Sequence, residues 1–318
     1  MQTPLSVAVV IVSYNTRELL LECITSVVNS TEGLTTEIVV VDNASADGSY
    51  AAARRACPQA VTIQNQTNRG FGAACNQGIR LTTSPFILLL NSDARITREA
   101  FSTLLESFER EVRCAAAGCR LIDQAGVELI NTRNFLTPFN QTLEIAGFKL
   151  KGHSLSRSYS PRVDRGRFDC SIEWIDGACL MLRRTALNEV GLFDKRFFMY
   201  SEDEDLCLRL KRAGWLVCFS GSATAVHHGA ASSQLYRTAM LRQFYLSQIL
   251  LLSKHRSEVS VFIYAASMTI VLFLKRILLR DAHRRREAKE HLAALRQVCT
   301  RKAKQSEVSL PEDPFDSE

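Results

Sequence analysis

The sequence predicts an α/β fold on a mostly parallel, doubly wound sheet, followed by helices of a different character. Three observations carry this. The apolar runs at 7–12, 37–41 and 86–90 lack polar alternation, as strands buried on both faces do. Stretches of helical spacing at 16–29, 47–56 and 72–81 separate the strands in a strand–helix–strand rhythm. Each strand is also followed by a polar cluster, and open parallel sheets bind ligands at the carboxyl ends of their strands.

In order, 7–12 is the first strand and 16–29 a helix with Leu19, Leu20, Cys23, Val27 and Val28 on its apolar face. The second strand, 37–41, ends at Asp42, and the helix at 47–56 stops before Pro58. A short strand at 61–64, a helix at 72–81 and the strand 86–90 follow, then helical spacing at 94–109. Beyond 114 the pattern loosens. Strands are expected at 114–122, 127–130, 174–182 and 215–219, and helices at 203–213 and 235–252. The stretch 131–168 is polar, with Pro138, Gly147, Gly152 and Pro161, and reads as a long loop, functional or disordered.

Three regions are expected: 1–235 as the α/β domain, 236–304 as a basic helical region, and 305–318 as a disordered acidic tail. Charge supports the division. Residues 1–235 hold 24 Lys and Arg against 24 Asp and Glu, so the net charge of +6 comes from 236–318, with 15 against 9. The sixteen residues 259–274 carry no charge and precede Lys275, Arg276, Arg280 and Arg284-Arg285-Arg286. Apolar residues interleaved with basic ones favour an anionic membrane surface over nucleic acid as partner. The run is short of the ~20 residues a helical span needs, and a buried core helix is the other reading. Ten cysteines without a CxxC pair read as reduced, buried thiols of a cytosolic protein. The first residues lack a basic segment leading into an apolar one, so no signal peptide is expected.

Four polar clusters should converge on one sheet edge: Ser13-Tyr14-Asn15, Asp42-Asn43-Ala44-Ser45, Asn68-Arg69-Gly70-Phe71-Gly72 and Asn91-Ser92-Asp93. Asp93 either caps the following helix or presents a carboxylate to a divalent cation, which prefers oxygen ligands. The run Glu202-Asp203-Glu204-Asp205 puts four carboxylates at a helix start, where dipole and free amides stabilise anions. A solvated acidic cap would look the same.

With these clusters, Trp174-Ile175-Asp176-Gly177-Ala178, Phe198-Met199-Tyr200 before the acidic run, and His227-His228-Gly229, the chain resembles an inverting family-2 glycosyltransferase of the Rossmann-like GT-A fold. It is most similar to the rhamnosyltransferase-like enzymes that build bacterial surface polysaccharides. The resemblance covers roughly 6–250 and implies the following roles. Ser13, Tyr14, Asn15, Asp42, Asn68, Arg69, Gly72, Asn91, Ser92 and Asp93 bind the nucleotide-sugar, with Asp42 accepting a hydrogen bond from the base. Asp93, the last position of a motif that here begins with Asn91, holds Mg²⁺ or Mn²⁺ with His227, His228 being the alternative. Trp174, Asp176 and Gly177 face donor sugar and acceptor, although Trp174 could equally be core. Asp203 is the general base and Glu202 the second choice, while Asp205 is structural and pairs with Arg209. The donor implied is a nucleoside diphosphate sugar, dTDP-rhamnose favoured over N-acetylglucosamine, galactofuranose or mannose donors. The acceptor is a lipid-linked glycan, and the location the cytoplasmic face of the inner membrane. A silent glycan- or nucleotide-binding scaffold is the alternative. A dinucleotide oxidoreductase is not, because no GxGxxG follows the first strand.

Overall fold

A computed structural model describes residues 6–147, 168–170, 172–229 and 237–302. The expected acidic tail and most of the second half of the 131–168 loop lie outside these.

The elements run β1 (Val7–Ser13), α1 (Arg17–Ser30), β2 (Thr36–Asp42), α2 (Ser49–Ala56), β3 (Val61–Gln64), α3 (Phe71–Arg80) and β4 (Phe86–Asn91). There follow β5 (Ala94–Ile96), α4 (Arg98–Arg110), β6 (Cys114–Ile122), β7 (Glu128–Leu129), β8 (Thr132–Arg133), α5 (Pro138–Ala146), β9 (Phe168–Asp169), β10 (Trp174–Ile175) and β11 (Cys179–Arg183). The chain continues through α6 (Arg184–Val190), α7 (Glu202–Arg212), β12 (Leu216–His227), α8 (Arg237–His255), α9 (Glu258–Leu278) and α10 (Ala282–Lys302).

The main sheet has the order β3-β2-β1-β4-β11-β6-β12-β5. β3, β2, β1 and β4 are mutually parallel, and β12 is parallel to β6; β11 inserts antiparallel between β4 and β6. Side chains alternate along each strand between the two faces. Val7, Val9, Ile11, Val40, Leu88 and Leu90 join a core closed by α1 and α4, whereas Ala8, Val10, Val39, Val41, Ile87 and Leu89 join one closed by α3, α6 and α7. The lack of polar alternation in these strands is thus explained by two covered faces.

A third core gathers α8, α9 and α10, with Leu136 and Phe197 from the α/β part. Tyr264, Met268 and Leu272, spaced four apart on α9, are buried in it. The rest of α9 is not covered: Phe262, Ile263, Ile270, Phe273, Leu274, Ile277 and Leu278 are exposed. At 21 residues the helix is longer than its charge-free run and long enough to cross a bilayer.

Several expectations are corrected. Helix α4 begins at Arg98, because Ala94–Ile96 pairs with β12 and the Thr97 side chain accepts the Ala100 amide. Asp93 therefore does not cap a helix. Part of the expected loop is α5, started by a capping box between Thr137 and Asn140 with Pro138 in its first turn, and ended by Gly147 in the left-handed region. The strand expected over 174–182 is two strands, broken at Asp176-Gly177-Ala178. α6 was not expected, and β12 runs on to His227. Cys170 and Cys218 form a disulfide, so these two are not the reduced thiols expected.

Candidate active site

The ends of β1 and β4, the loop after β3 and the segment before α7 meet in one pocket. It is lined by Tyr14, Asn43, Asn68, Gly70, Phe71, Asn91, Ser92, Asp93, Phe198 and Met199, with Val12 beneath and Met240 of α8 at its side. Backbone strain concentrates around it. Asn15, Ala44, Tyr200 and Ser201 all have positive φ, between +52° and +71°, which for side-chain-bearing residues costs energy that the surroundings must offset.

Asn43 organises the base of the pocket. Its amide donates to Asn68 Oδ1 at 2.6 Å, and its Oδ1 accepts from Asn65 Nδ2 and the Arg69 amide at 3.0 Å. Gly70 is forced: its φ is +79°, and a Cβ there would lie 2.2 Å from the Phe198 carbonyl oxygen. The neighbouring Phe71 amide donates to that same oxygen at 2.9 Å. The loop after β3 is thereby stitched to the segment before α7.

Asp42 is fully buried. Its Oδ2 accepts the Ser45 amide at 3.1 Å, but its Oδ1 has no partner. Burial pushes its carboxyl above the usual range. Asp93 Oδ1 lies 3.1 Å from His227 Nε2, and Asn91 Nδ2 lies 3.4 Å from the same nitrogen. His228 instead meets Gln124, so geometry selects His227. A carboxylate oxygen and an imidazole nitrogen side by side at a pocket floor suit Mg²⁺ or Mn²⁺. Among the described residues no group of three or more His, Cys, Asp and Glu could hold a metal. Remaining ligands would come from phosphate oxygens and water.

The acidic run is not a solvated cap. Glu202, Glu204 and Asp205 are buried, and only Asp203 is partly exposed. Asp203 Oδ2 accepts the Gly177 amide at 3.0 Å and its Oδ1 the Glu204 amide at 2.8 Å. Gly177 in turn sits against Phe71, on the pocket wall. Burial raises the Asp203 carboxyl, against the two amides that lower it. Burial and the Asp203 charge push Glu202 well above the carboxylate range, and its Oε2 has no partner. Glu204 accepts the Leu136 amide just ahead of α5. Asp205 pairs with Arg209 at 2.9 Å as expected, and also with Lys254 and His255 of α8, both at 2.7 Å.

Several expected site residues lie outside the pocket lining, among them buried Asp42 and Asn15, whose Oδ1 accepts the Ala46 amide at 2.8 Å. Ser13 is fully buried and bonds Thr16 at 3.1 Å, which bonds Ser92 at 2.7 Å, so it supports the floor from below. Arg69 points to solvent and contributes its amide alone to the Asn43 network. Gly72 packs α3 against Phe193 and Glu202, and Gly70 takes the lining role. Trp174 is 5% exposed, with its indole N–H donated to the Asn134 carbonyl at 3.0 Å, and belongs to the core. Asp176 is half-buried and 4.0 Å from Arg133. Asn43, Phe198, Met199 and Met240 were not expected as lining residues. The first three lie inside the motifs that carry the resemblance, while nothing in the sequence signals Met240.

The sequence pattern of the family described as Glycosyl transferase family 2 matches residues 8–191. The chain belongs to this family. It is 29% identical over 216 residues, 62% of its length and 67% of the relative's, to N-acetylglucosaminyl-diphospho-decaprenol L-rhamnosyltransferase of Mycobacterium tuberculosis. It is 25% identical over 197 residues, 59% of its length and 71% of the relative's, to the rhamnosyltransferase WbbL of Escherichia coli K12. Two solved structures share the fold at 14% identity. One is a mannosyltransferase of Pyrobaculum calidifontis in complex with GDP-Man and Mn²⁺, with TM-score 0.57 over 97% of this chain and 77% of that one. The other is GalNAc-T7 with UDP, GalNAc and Mn²⁺, with TM-score 0.59 over 98% and 59%.

Proposed function

We propose that this glycosyltransferase moves L-rhamnose from dTDP-rhamnose onto a lipid-linked glycan acceptor, inverting the anomeric centre in one displacement. The two named relatives support the sugar, and one of them carries a diphospho-decaprenol acceptor in its name. The observation that carries the mechanism is that Asp203 alone among four acidic neighbours is partly exposed, held by the Gly177 amide where Gly177 packs against Phe71 of the pocket wall.

Asn43, Asn68 and Gly70 would shape the ribose and phosphate floor, and the orphaned Oδ1 of Asp42, fully buried next to Asn43 in sequence, would accept the base N–H only after the side chain turns toward the pocket. Asp93 and His227 would hold Mg²⁺ or Mn²⁺, which when bound offsets the negative charge developing on the leaving diphosphate. Asp203 would take the proton from the acceptor hydroxyl as that oxygen attacks the anomeric carbon. The Gly177 and Glu204 amides fix its two oxygens, while its raised pKa brings it closer to the working pH.

The test is a donor screen. Purified protein is incubated with thymidine-, uridine- and guanosine-diphosphate sugars, each with and without Mg²⁺ or Mn²⁺, and thermal shift and slow donor hydrolysis are recorded. The expected result is a metal-dependent response to dTDP-rhamnose, with metal alone giving a much smaller shift because, among the described residues, the proposed site offers a metal only Asp93 and His227. A stronger response to another sugar nucleotide would overturn the rhamnose reading.

The exposed apolar side of α9, with Lys275 and Arg276 in its last turn, would hold the enzyme at an anionic membrane surface. Wild type should co-sediment with phosphatidylglycerol vesicles, and Phe262→Glu with Ile270→Glu should reduce that several-fold. Equal sedimentation of the double variant would sink the membrane role.

A further inference from the structure

A second cleft lies between α5, α9 and α10, away from the nucleotide pocket. It measures about 250 Å³ and is lined by Ile145, Ala146 and Gly147 at the end of α5, Leu272, Lys275 and Leu279 of α9 and its exit, and Arg284, Glu287, Ala288 and His291 of α10. The lining combines apolar side chains with two cations and an imidazole against one acid. Lys275 is held in place, with its ammonium donated to the Ile145 carbonyl at 2.8 Å. The His291 ring is fixed by Tyr245, whose hydroxyl lies 2.8 Å from Nδ1. Arg276 and Arg280 add charge nearby in sequence, and the exposed apolar residues Phe273, Leu274, Ile277 and Leu278 lie on the same helix end.

The geometry points to this cleft as the seat of the acceptor's lipid diphosphate, with Lys275, Arg284 and His291 binding the diphosphate and the polyprenyl chain leaving along the exposed side of α9. This rests on the lipid-linked acceptor reading above and places that acceptor on the protein. Cations at one end of an uncovered apolar helix face, Lys275 among them held by the Ile145 carbonyl, match an anionic head on a long apolar tail.

The cleft connects physically to the candidate base. Glu144, beside Ile145 in the last turn of α5, lies 4.0 Å from Arg133, and Arg133 lies 4.0 Å from Asp176, which precedes the Gly177 that holds Asp203. At its other end α5 begins next to Leu136, whose amide is held by Glu204. The nine residues of α5 span about 13 Å between its cleft end and its start near Leu136. A glycan whose diphosphate sits in the cleft would present its sugar toward Asp203, along the Arg133 and Asp176 side chains.

The test measures binding of farnesyl diphosphate to the full chain, with farnesol and inorganic diphosphate as comparators and phosphatidylglycerol vesicles as a separate arm. Farnesyl diphosphate should bind more tightly than either comparator. Arg284→Gln and Lys275→Met should each weaken it at least ten-fold, and Arg284→Gln, on an exposed side chain, should unfold at the same temperature as wild type. Unchanged affinity in Arg284→Gln and Lys275→Met would overturn the proposal. So would losses confined to vesicle binding, which would mark the cleft as a contact for bulk headgroups. The donor screen is independent of this readout. A wild-type response to a sugar nucleotide without variant-sensitive farnesyl diphosphate binding removes the cleft proposal alone. The converse removes the donor reading and leaves the cleft.

Discussion

Asp203→Asn is expected to lower kcat roughly a hundred- to ten-thousand-fold, the contribution of a positioned general base, while leaving sugar-nucleotide affinity within about two-fold. The split follows from placement. Asp203 stands behind Phe71 and Gly177 and does not line the nucleotide pocket, so the donor should not sense the substitution. Asn keeps one acceptor oxygen but turns an NH₂ toward one of the two amides, Gly177 or Glu204. This costs about 1–3 kcal/mol of stability, and the unfolding midpoint must be recorded beside the rate. The pH profile separates a base from a merely structural carboxylate. A raised pKa means that the active, ionised form is lost as pH falls through that raised value. The acid limb of kcat should therefore lie above the ordinary carboxylate pKa of about 4. Because Glu202 and Asp203 repel each other, the limb belongs to the pair. In Asp203→Asn the limb should vanish with the rate. A Glu202→Gln enzyme that loses the limb while Asp203→Asn keeps it would reverse the assignment, against the burial of Glu202 at 5% exposure.

The parallel half of the fold was legible because burial on both faces leaves an unmistakable apolar run, and β1, β2, β3 and β4 all stand within two residues of their expected bounds. What was misread or left open shares a cause: one residue type serves opposite local purposes. Pro138 and Gly147 suggested loop, yet Pro in a first helical turn and Gly past a last one bound a helix, and α5 lies between them. Asp93 beside helical spacing suggested a cap, yet Thr97 does the capping after a three-residue strand that only its pairing with β12 defines. The acidic run left a solvated cap open, yet its partners Lys254, His255 and the Leu136 amide all lie more than forty residues away in the chain. Motif order brought Tyr14, Asn68, Asn91 and Asp93 to one pocket because parallel strands share an edge. It could not say which neighbour lines and which supports, as the reversal of Gly72 and Gly70 and the burial of Ser13 illustrate. That choice is made by side-chain direction and packing.

Asp205→Asn should cost about 3–5 kcal/mol of stability, the range for removing one partner from a buried ion pair, and lower the unfolding midpoint by ~10 °C. Asp205 is completely buried and gathers Arg209, Lys254 and His255, themselves 17%, 20% and 5% exposed, so solvent screens little of this interaction. Neutralising it leaves Lys254 and Arg209 without their shared anion beneath α8, although Lys254 retains Asp194 at 2.7 Å. Burial alone would raise the Asp205 carboxyl, but the hydrogen bonds from His255 and Lys254 and the Arg209 charge outweigh it, and its pKa is lowered. A carboxylate whose folded pKa is depressed contributes stability above its unfolded pKa, near 4, and loses it as pH falls through the folded value. Wild type should therefore lose stability on acidification below about pH 4, and Asp205→Asn should show less of that loss. The same cluster ties α8 to α7, and α8 supplies Met240 to the pocket. Donor affinity should accordingly fall in the variant more than kcat does, the opposite of the Asp203→Asn pattern. A midpoint within 2 °C of wild type would mean that Arg209, Lys254 and His255 find other partners and that α8 is held by its apolar face alone.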